Sequence, residues 1–442
     1  MKMKCVLGAT FAVLSLAIPA SGQSADALVN KLVQKGILTS QEAEELRQEA
    51  NRDFSKAYAA KSGWADWTTA LKFNGDVRVR FDDIFSENSA YVTQQRYRVR
   101  LRVGAIWKFK DDMEAGFRLA SGSDNQSLSA NQTFGDNGSK KPIHIDQAYG
   151  KWSPQFGDAS LTFTAGKMDI PFVFSDMVMD TDYTPEGFAE QLTYKINERH
   201  SAKLILGEFI LDELATSQHD PFLFGAQARL DSQWSKRVTT SFGIAGLMIH
   251  NAASLTSSDV PDINNGNTRN TIIQTIDGKS VTNSVLANNF NPLIADGTVK
   301  YTFDSCPLYT GAFPVSLSGE FMWNPAASSR NVAWSAGPTF GKAAKKGTWE
   351  ISYRWKSIEG DAWYEELVSD DFGAYYQNAS GFGAKGYRTG TNVRGHVVRA
   401  AYAFTDSFAL GLTYLNTELI DAIPATSISG VQRLMIDALW KF

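Results

Sequence analysis

Four arginines at alternate positions, Arg96, Arg98, Arg100 and Arg102, stand within QRYRVRLRVGAIWKF, the stretch from Gln95 to Phe109. Tyr97, Val99, Leu101, Val103, Ala105, Trp107 and Phe109 occupy the odd positions between and after them. In a strand, successive side chains leave opposite faces, so this spacing gathers the guanidiniums into one column and leaves an apolar column behind it. A helix would scatter the same residues around its circumference. Guanidiniums stay charged and present forked donors, so such a column attracts and orients anions. Two settings suit it: a sheet packed on a soluble core, or the wall of a transmembrane barrel, apolar toward lipid and polar toward a lumen.

The flanking stretches repeat the pattern. Leu71, Phe73, Val77, Val79 and Phe81 alternate with Lys72, Asn74, Asp76, Arg78 and Arg80, while Lys110-Asp111-Asp112 reads as a tight turn into Met113 to Ser121. There Ala115, Phe117 and Leu119 share one side, Glu114 and Arg118 the other. If Trp107 and Phe109 face lipid, then Arg78, Arg80, Arg98, Arg100, Arg102 and Arg118 point into the lumen. The reverse assignment would cost about 2 to 4 kcal/mol per arginine near the bilayer midplane. Inside a watery pore the stacked charge favours anions over roughly a Debye length, about 8 Å. Pairing with carboxylates that stiffen the wall is the other role open to the same arginines.

Sixteen segments of period two are expected: 71–81, 95–109, 113–121, 143–152, 159–167, 188–197, 201–211, 222–231, 237–249, 296–304, 314–324, 332–341, 347–356, 393–404, 407–417 and 431–442. Starting from the first, every second link between them is long and the others are short. An outer-membrane barrel has this asymmetry, with short periplasmic turns and long outside loops. The third long link holds Asp169, Asp176, Asp180, Asp182, Glu186 and Glu190, with no lysine or arginine from Asp169 to Glu190. Phe172, Val173, Phe174, Met177 and Val178 could anchor it to an inner wall; a loop left outside, binding divalent ions beside lipopolysaccharide, is the alternative. The acidic, aromatic link 357–392 reads as a solvated outer loop, and the Asn-, Ser- and Thr-rich link 250–295 as a flexible one.

Composition narrows the class. The 442 residues carry a net charge of -4 without a lysine-rich face, so nucleic acid is not an expected partner. After the N-terminus no run of about 18 apolar residues occurs, which argues against a helical membrane protein. Lys2 and Lys4, the apolar Cys5 to Ile18, and Ala20-Ser21-Gly22 describe a secretory signal over residues 1–22. Its removal would leave Cys306 as the sole cysteine, excluding an intrachain disulfide and a thiolate metal site. Residues 23–61 read as a periplasmic helical hairpin or coiled-coil segment, with Gly36 as a C-cap and Thr39-Ser40-Gln41-Glu42 as a capping box. No GxSxG or HExxH motif occurs and the five histidines are dispersed, so no enzyme, metal or cofactor is expected.

At the C-terminus, Leu434, Ile436, Ala438, Trp440 and Phe442 alternate to the last residue. This end resembles the assembly signal of Gram-negative outer-membrane barrels, which implies the barrel-assembly machinery as a partner through Phe442. The wider pattern, KLVQKGILTSQEAEEL, FNGDVRVRF, RYRVRLRVGAIWKF and TAGKMDIPFVFSDMVMDTDYTPEGFAEQLTY, resembles bacterial outer-membrane porins, the general-diffusion and phosphate-selective kinds among them. The resemblance implies an all-β, 16-stranded antiparallel transmembrane barrel over 71–442, with a constriction loop at about 168–190 folded inside it. It further implies a homotrimer set among outer-membrane lipid and lipopolysaccharide, passing small anionic or neutral solutes by passive diffusion. Two other classes stay open: a structural protein tethering the envelope through its N-terminal helices, and a barrel-embedded hydrolase.

Overall fold

The computed structural model describes residues 68–124, 126–215, 217–256, 266–276, 279–377, 386–422 and 426–442. The expected signal segment 1–22 and helical hairpin 23–61 lie outside the described residues. Sixteen long strands make the barrel: β1 Thr68–Ser86, β2 Gln94–Phe109, β3 Met113–Ser121, β4 Ile143–Trp152, β5 Ala159–Lys167, β6 Glu186–Asn197, β7 His200–Ile210 and β8 Phe222–Gln233. They continue as β9 Val238–His250, β10 Leu293–Phe303, β11 Phe313–Trp323, β12 Val332–Gly341, β13 Trp349–Ile358, β14 Val393–Ala403, β15 Phe408–Leu419 and β16 Val431–Lys441. Each pairs antiparallel with its sequence neighbour, and β1 also pairs with β16 from Asp76 opposite Lys441 to Ser86 opposite Val431, so the sheet closes without a free edge.

Local chemistry sets the joints. Asp111 and Asp112 take φ of 60° and 59°, the left-handed pair that a type I′ hairpin requires. At the closure, Gly75 and Phe442 exchange backbone hydrogen bonds of 2.9 and 3.1 Å. A Cβ on Gly75 would lie 2.5 Å from the Arg102 carbonyl oxygen and 2.6 Å from the Phe442 ring, so glycine is required there. Strand β1 runs on to Ser86, beyond the expected end at Phe81. Asp82, one residue past the expected end, keeps the inward parity and is wholly buried against Arg433 and Arg96.

Outward positions carry exposed large apolar side chains: Phe188 and Leu192 on β6, Leu204 and Leu206 on β7, Phe242 and Ile244 on β9, Leu317 and Phe321 on β11. A soluble surface would not sustain such a band. Aromatic pairs gather at the short-turn end: Trp107 with Phe117, Trp152 with Phe163, Tyr301 with Phe303, and Phe408 with Trp440. This is the girdle position of a membrane barrel.

The interior is filled by the long links. The expectation of a flexible outer loop at 250–295 is corrected: it contains a hairpin, Arg269–Ile276 with Lys279–Leu286, and buries Leu255, Leu286 and Phe290. The expectation of a solvated loop at 357–392 is corrected too. Trp363, Glu365, Leu367, Val368 and Phe372 are buried, and Gly373–Tyr376 pairs with Gly386–Thr389. Its charges suggested water, but they have protein partners. Glu365 holds Arg269 at 2.6 Å, and Asp361 accepts the Thr268 N–H at 2.7 Å. Freed of that cost, the aromatics bury: Phe290 packs edge-on to Trp363 at 6.3 Å, among Met177, Val178, Ile205, Leu223 and Leu247.

Candidate functional site

The guanidinium column faces the lumen and is engaged there by carboxylates. Arg100 and Arg102 share Asp76 at 3.0 and 2.7 Å and Asp182 at 3.1 and 3.2 Å. Arg80 holds Asp437 at 2.7 Å and Asp371 at 3.1 Å, while Arg78 donates to Asn131 at 2.8 Å and lies 3.9 Å from Asp437. Arg118 bonds Asp146 and reaches Asp169 at 3.4 Å. Arg98 differs from Arg80, Arg100, Arg102 and Arg118. It is 8% exposed, its carboxylate within 4 Å among the described residues is Asp82 at 3.9 Å, and its Nε, like that of Arg78, has no acceptor among them.

The third long link, Met168 to Pro185, crosses the lumen. Its apolar side seats Phe172 on an inner wall whose Gly207 and Gly225 leave room for the ring; an added Cβ would meet it at 2.9 and 2.5 Å. Val173 exchanges hydrogen bonds with Gln227 of β8 at 2.9 and 3.0 Å, and the Ser175 N–H donates to Glu320 of β11 at 3.1 Å. Its polar side spans to the other wall, where Asp176 pairs with Lys356 of β13 at 2.5 Å and Arg399 of β14 at 3.2 Å. Burial pushes the Asp176 carboxyl up, but Lys356 and Arg399 outweigh it and hold the group well below the usual carboxylate range. The link also binds the 361–372 segment: Asp180 N–H to the Leu367 carbonyl at 2.8 Å, and Trp363 Nε1 to the Val178 carbonyl at 2.8 Å.

Of the six acidic residues expected on this link, the structure brings Asp182 to Arg100 and Arg102 and Asp169 to Arg118. Asp176 goes to the far wall instead. Asp180 is buried and accepts the backbone N–H groups of Asp182 at 2.7 Å and Asp370 at 3.0 Å. Burial and the neighbouring Asp370 carboxylate push its carboxyl well above the ordinary value. Glu186 and Glu190 are corrections. Strand β6 begins at Glu186, so Glu186 pairs with Lys167 at the strand end at 2.8 Å. Glu190 shares the outward face with Phe188 and Leu192, opposite Phe163 and Leu206.

Sequence reading missed Arg433, Lys356, Arg399 and the aspartates 82, 371 and 437 as partners. Strand parity could have found Arg433 and Asp437, which alternate in VQRLMIDALW, but which loop residue meets them is a long-range fact. Arg433 holds Asp82 and Asp371, each at 2.8 Å. Asp370, next to it, lines the lumen: burial and the Asp371 carboxylate push its carboxyl up to about 7.

Between the wall and the loops lies a cavity of about 450 Å³, lined by Arg78, Arg80, Arg100, Asp182, Asp370 and Arg399 among others. Toward the long-loop end two smaller ones adjoin it, of about 190 and 370 Å³. Asp370 lines the first and second of these, Asp182 the first and last, and Gln126 and Ser129 both smaller ones. Polar side chains thus mark a continuous run beside the arginine wall. A family model described as "Putative porin" matches residues 88–442. The chain belongs to that porin family. Among solved structures, the porin's fold is similar to OprB of Pseudomonas putida, with a TM-score of 0.51 and 10% identity over 84% of this chain and 94% of that one. OmpT of Vibrio cholerae gives 0.44 and 10% over 86% and 99%, and a Rh. blastica porin variant 0.41 and 9% over 84% and 100%. No curated protein matches the sequence. The porin is a channel-forming barrel of the Gram-negative outer membrane.

Proposed function

We propose that the porin passes small hydrophilic solutes by passive diffusion, anionic ones ahead of neutral ones and cations least, along the polar run between the arginine wall and the crossing third link. One observation carries the anion preference. Along β1, β2 and β16, five arginines, Arg78, Arg80, Arg96, Arg98 and Arg433, share three aspartates, Asp82, Asp371 and Asp437. Paired arginines cancel much of their own field, so the preference rests on this excess and above all on Arg98. In planar bilayers under a salt gradient, the reversal potential should report anion preference, reduced in Arg98→Gln. A channel with cation preference, or one whose selectivity ignores that substitution, would leave the arginines a purely structural role; no conductance at all would sink the diffusion reading.

The remaining expectations belong to the same proposal. Residues 1–22 are a signal removed on export, 23–61 a periplasmic helical segment, and Phe442, already engaged with Gly75, the residue read by the assembly machinery. Homotrimer formation is supported by a groove of about 560 Å³ on the outer wall, where small residues Ala226, Ala228, Gly246 and Ala295 sit among apolar ones. Small side chains there let a second barrel approach closely.

A further inference from the structure

We propose that the outer vestibule contains a discrete binding site for a small oxyanion, centred on Arg98 and flanked by Arg96, Arg388, Ser129 and Gln126. It rests on the diffusion reading above, since it places the solute on that route. The site is the cavity of about 190 Å³ adjoining the larger lumen space, roomy enough for a phosphate- or sulfate-sized anion with a few waters.

Three observations converge on it. The first is the state of Arg98, a buried guanidinium whose nearest carboxylate lies 3.9 Å away and whose Nε has no acceptor among the described residues. Buried polar groups in folded proteins have hydrogen-bond partners as a rule, so a buried guanidinium with its Nε unmet, on a residue that lines a cavity, signals an acceptor that comes and goes. The second is charge. Arg96, Arg98, Arg388 and Arg433 line the cavity against one lining carboxylate, Asp370. Asp82 behind them is divided among Arg96 at 2.5 Å, Arg433 at 2.8 Å and the distant Arg98. The third is rigidity. Arg433 is locked by Asp82, Asp371 and the Tyr387 hydroxyl at 3.2 Å, with its guanidinium over the Tyr387 ring at 5.5 Å. It therefore supplies a fixed field while Arg98 and Arg96 supply the donors.

The chemistry selects an anion with at least two oxygens at the spacing of a guanidinium fork, a phosphate, sulfate or carboxylate, over a spherical halide. The cavity opens on the inner face of the barrel, so a free solute is the occupant and a lipid headgroup is not. Binding here would concentrate the solute above the narrowest part of the route, and its escape is helped when Asp370 is charged.

The test uses the full-length porin in planar bilayers, with chloride current measured as inorganic phosphate is added to the long-loop side. Phosphate should lower the chloride conductance along a saturating curve, and Arg98→Gln should raise the half-effect concentration at least tenfold, Arg98→Lys less. Lys140→Gln, at an exposed loop residue, should leave the curve in place. A decline without saturation in the wild-type protein overturns the site even if the variants fail to insert, and so does an unchanged curve in Arg98→Gln. Because the wild-type channel is measured first, anion preference without saturation condemns the site alone. Absence of any channel condemns the diffusion reading with it.

Discussion

Two inner walls of this barrel obey the same alternation and end in opposite states. On β7 to β9, the inward Ile205, Phe209, Leu223, Leu247 and Ile249 are sealed under Phe172, Met177 and Val178. On β1, β2 and β16 the inward residues are arginines and aspartates bordering open cavities. The strands decide which side chains point in, but the crossing links decide what those side chains meet. A link that brings apolar residues turns its wall into a core, as in a soluble domain; a link that brings carboxylates leaves its wall charged and wet. The third link does both, with Phe172 on one side and Asp182 on the other, so it assigns the route to the arginine half.

The largest change should come from breaking the sealed side. Trp363 has no exposed surface and donates to the Val178 carbonyl, joining the 361–372 segment to the third link. Trp363→Ala removes packing of about 3–5 kcal/mol, a typical cost for a buried aromatic truncation. The barrel ladder does not depend on it, so the protein should still fold while both segments loosen. Single-channel conductance should rise several-fold and hydrogen exchange at 172–180 should accelerate. A conductance equal to wild type would mean that the sealed half does not hold the third link in place.

Most of the barrel was legible in the chain, because membrane walls obey period two and each of the sixteen segments appeared within a few residues of its observed place. Length was misjudged at β1, which was expected to end at Phe81 and runs to Ser86. The lumen was legible only in part. Arg98 and Asp182 could be placed inside from parity and loop position, yet nothing local says that Asp182 meets Arg100 or that Asp371 meets Arg433, contacts spanning 82 and 62 residues. The link 357–392 misled for a related reason: Glu365 and Asp361 look solvated until Arg269 and Thr268 come from another loop to satisfy them. Glu190 failed through a strand boundary, which moved it from loop to lipid face.

A middle-sized effect should follow from unbalancing the charged side. Asp182 neutralises Arg100 and Arg102 together with Asp76, and Asp182→Asn would leave two guanidiniums on one carboxylate. Anion preference should then rise, visible as a larger reversal potential in the same gradient, with conductance altered by less than in Trp363→Ala. A fall in anion preference would show that Asp182 acts by positioning the link and that its charge does not reach the permeating ion.

The smallest effect is titration of the same wall. Asp370 is packed against Asp371, Asp180 and Asp182 on the acidic side and against Arg433, Arg98 and the Ser129 hydroxyl on the other. Burial and the Asp371 carboxylate raise its carboxyl to about 7, whereas Arg433 and Arg80 hold Asp371 far below the usual range, so the titrating proton belongs to Asp370 together with Asp180, whose carboxyl Asp370 itself helps to raise. A raised carboxyl is neutral below its midpoint and charged above it. Lowering the pH from about 8 to about 6 therefore removes up to one negative charge from the arginine wall, and anion preference should increase modestly across that window. The buried apolar wall has nothing to titrate there, which is why the shift should vanish in Asp370→Asn. A preference that falls on acidification, or a shift that survives this substitution, would place the titrating group elsewhere.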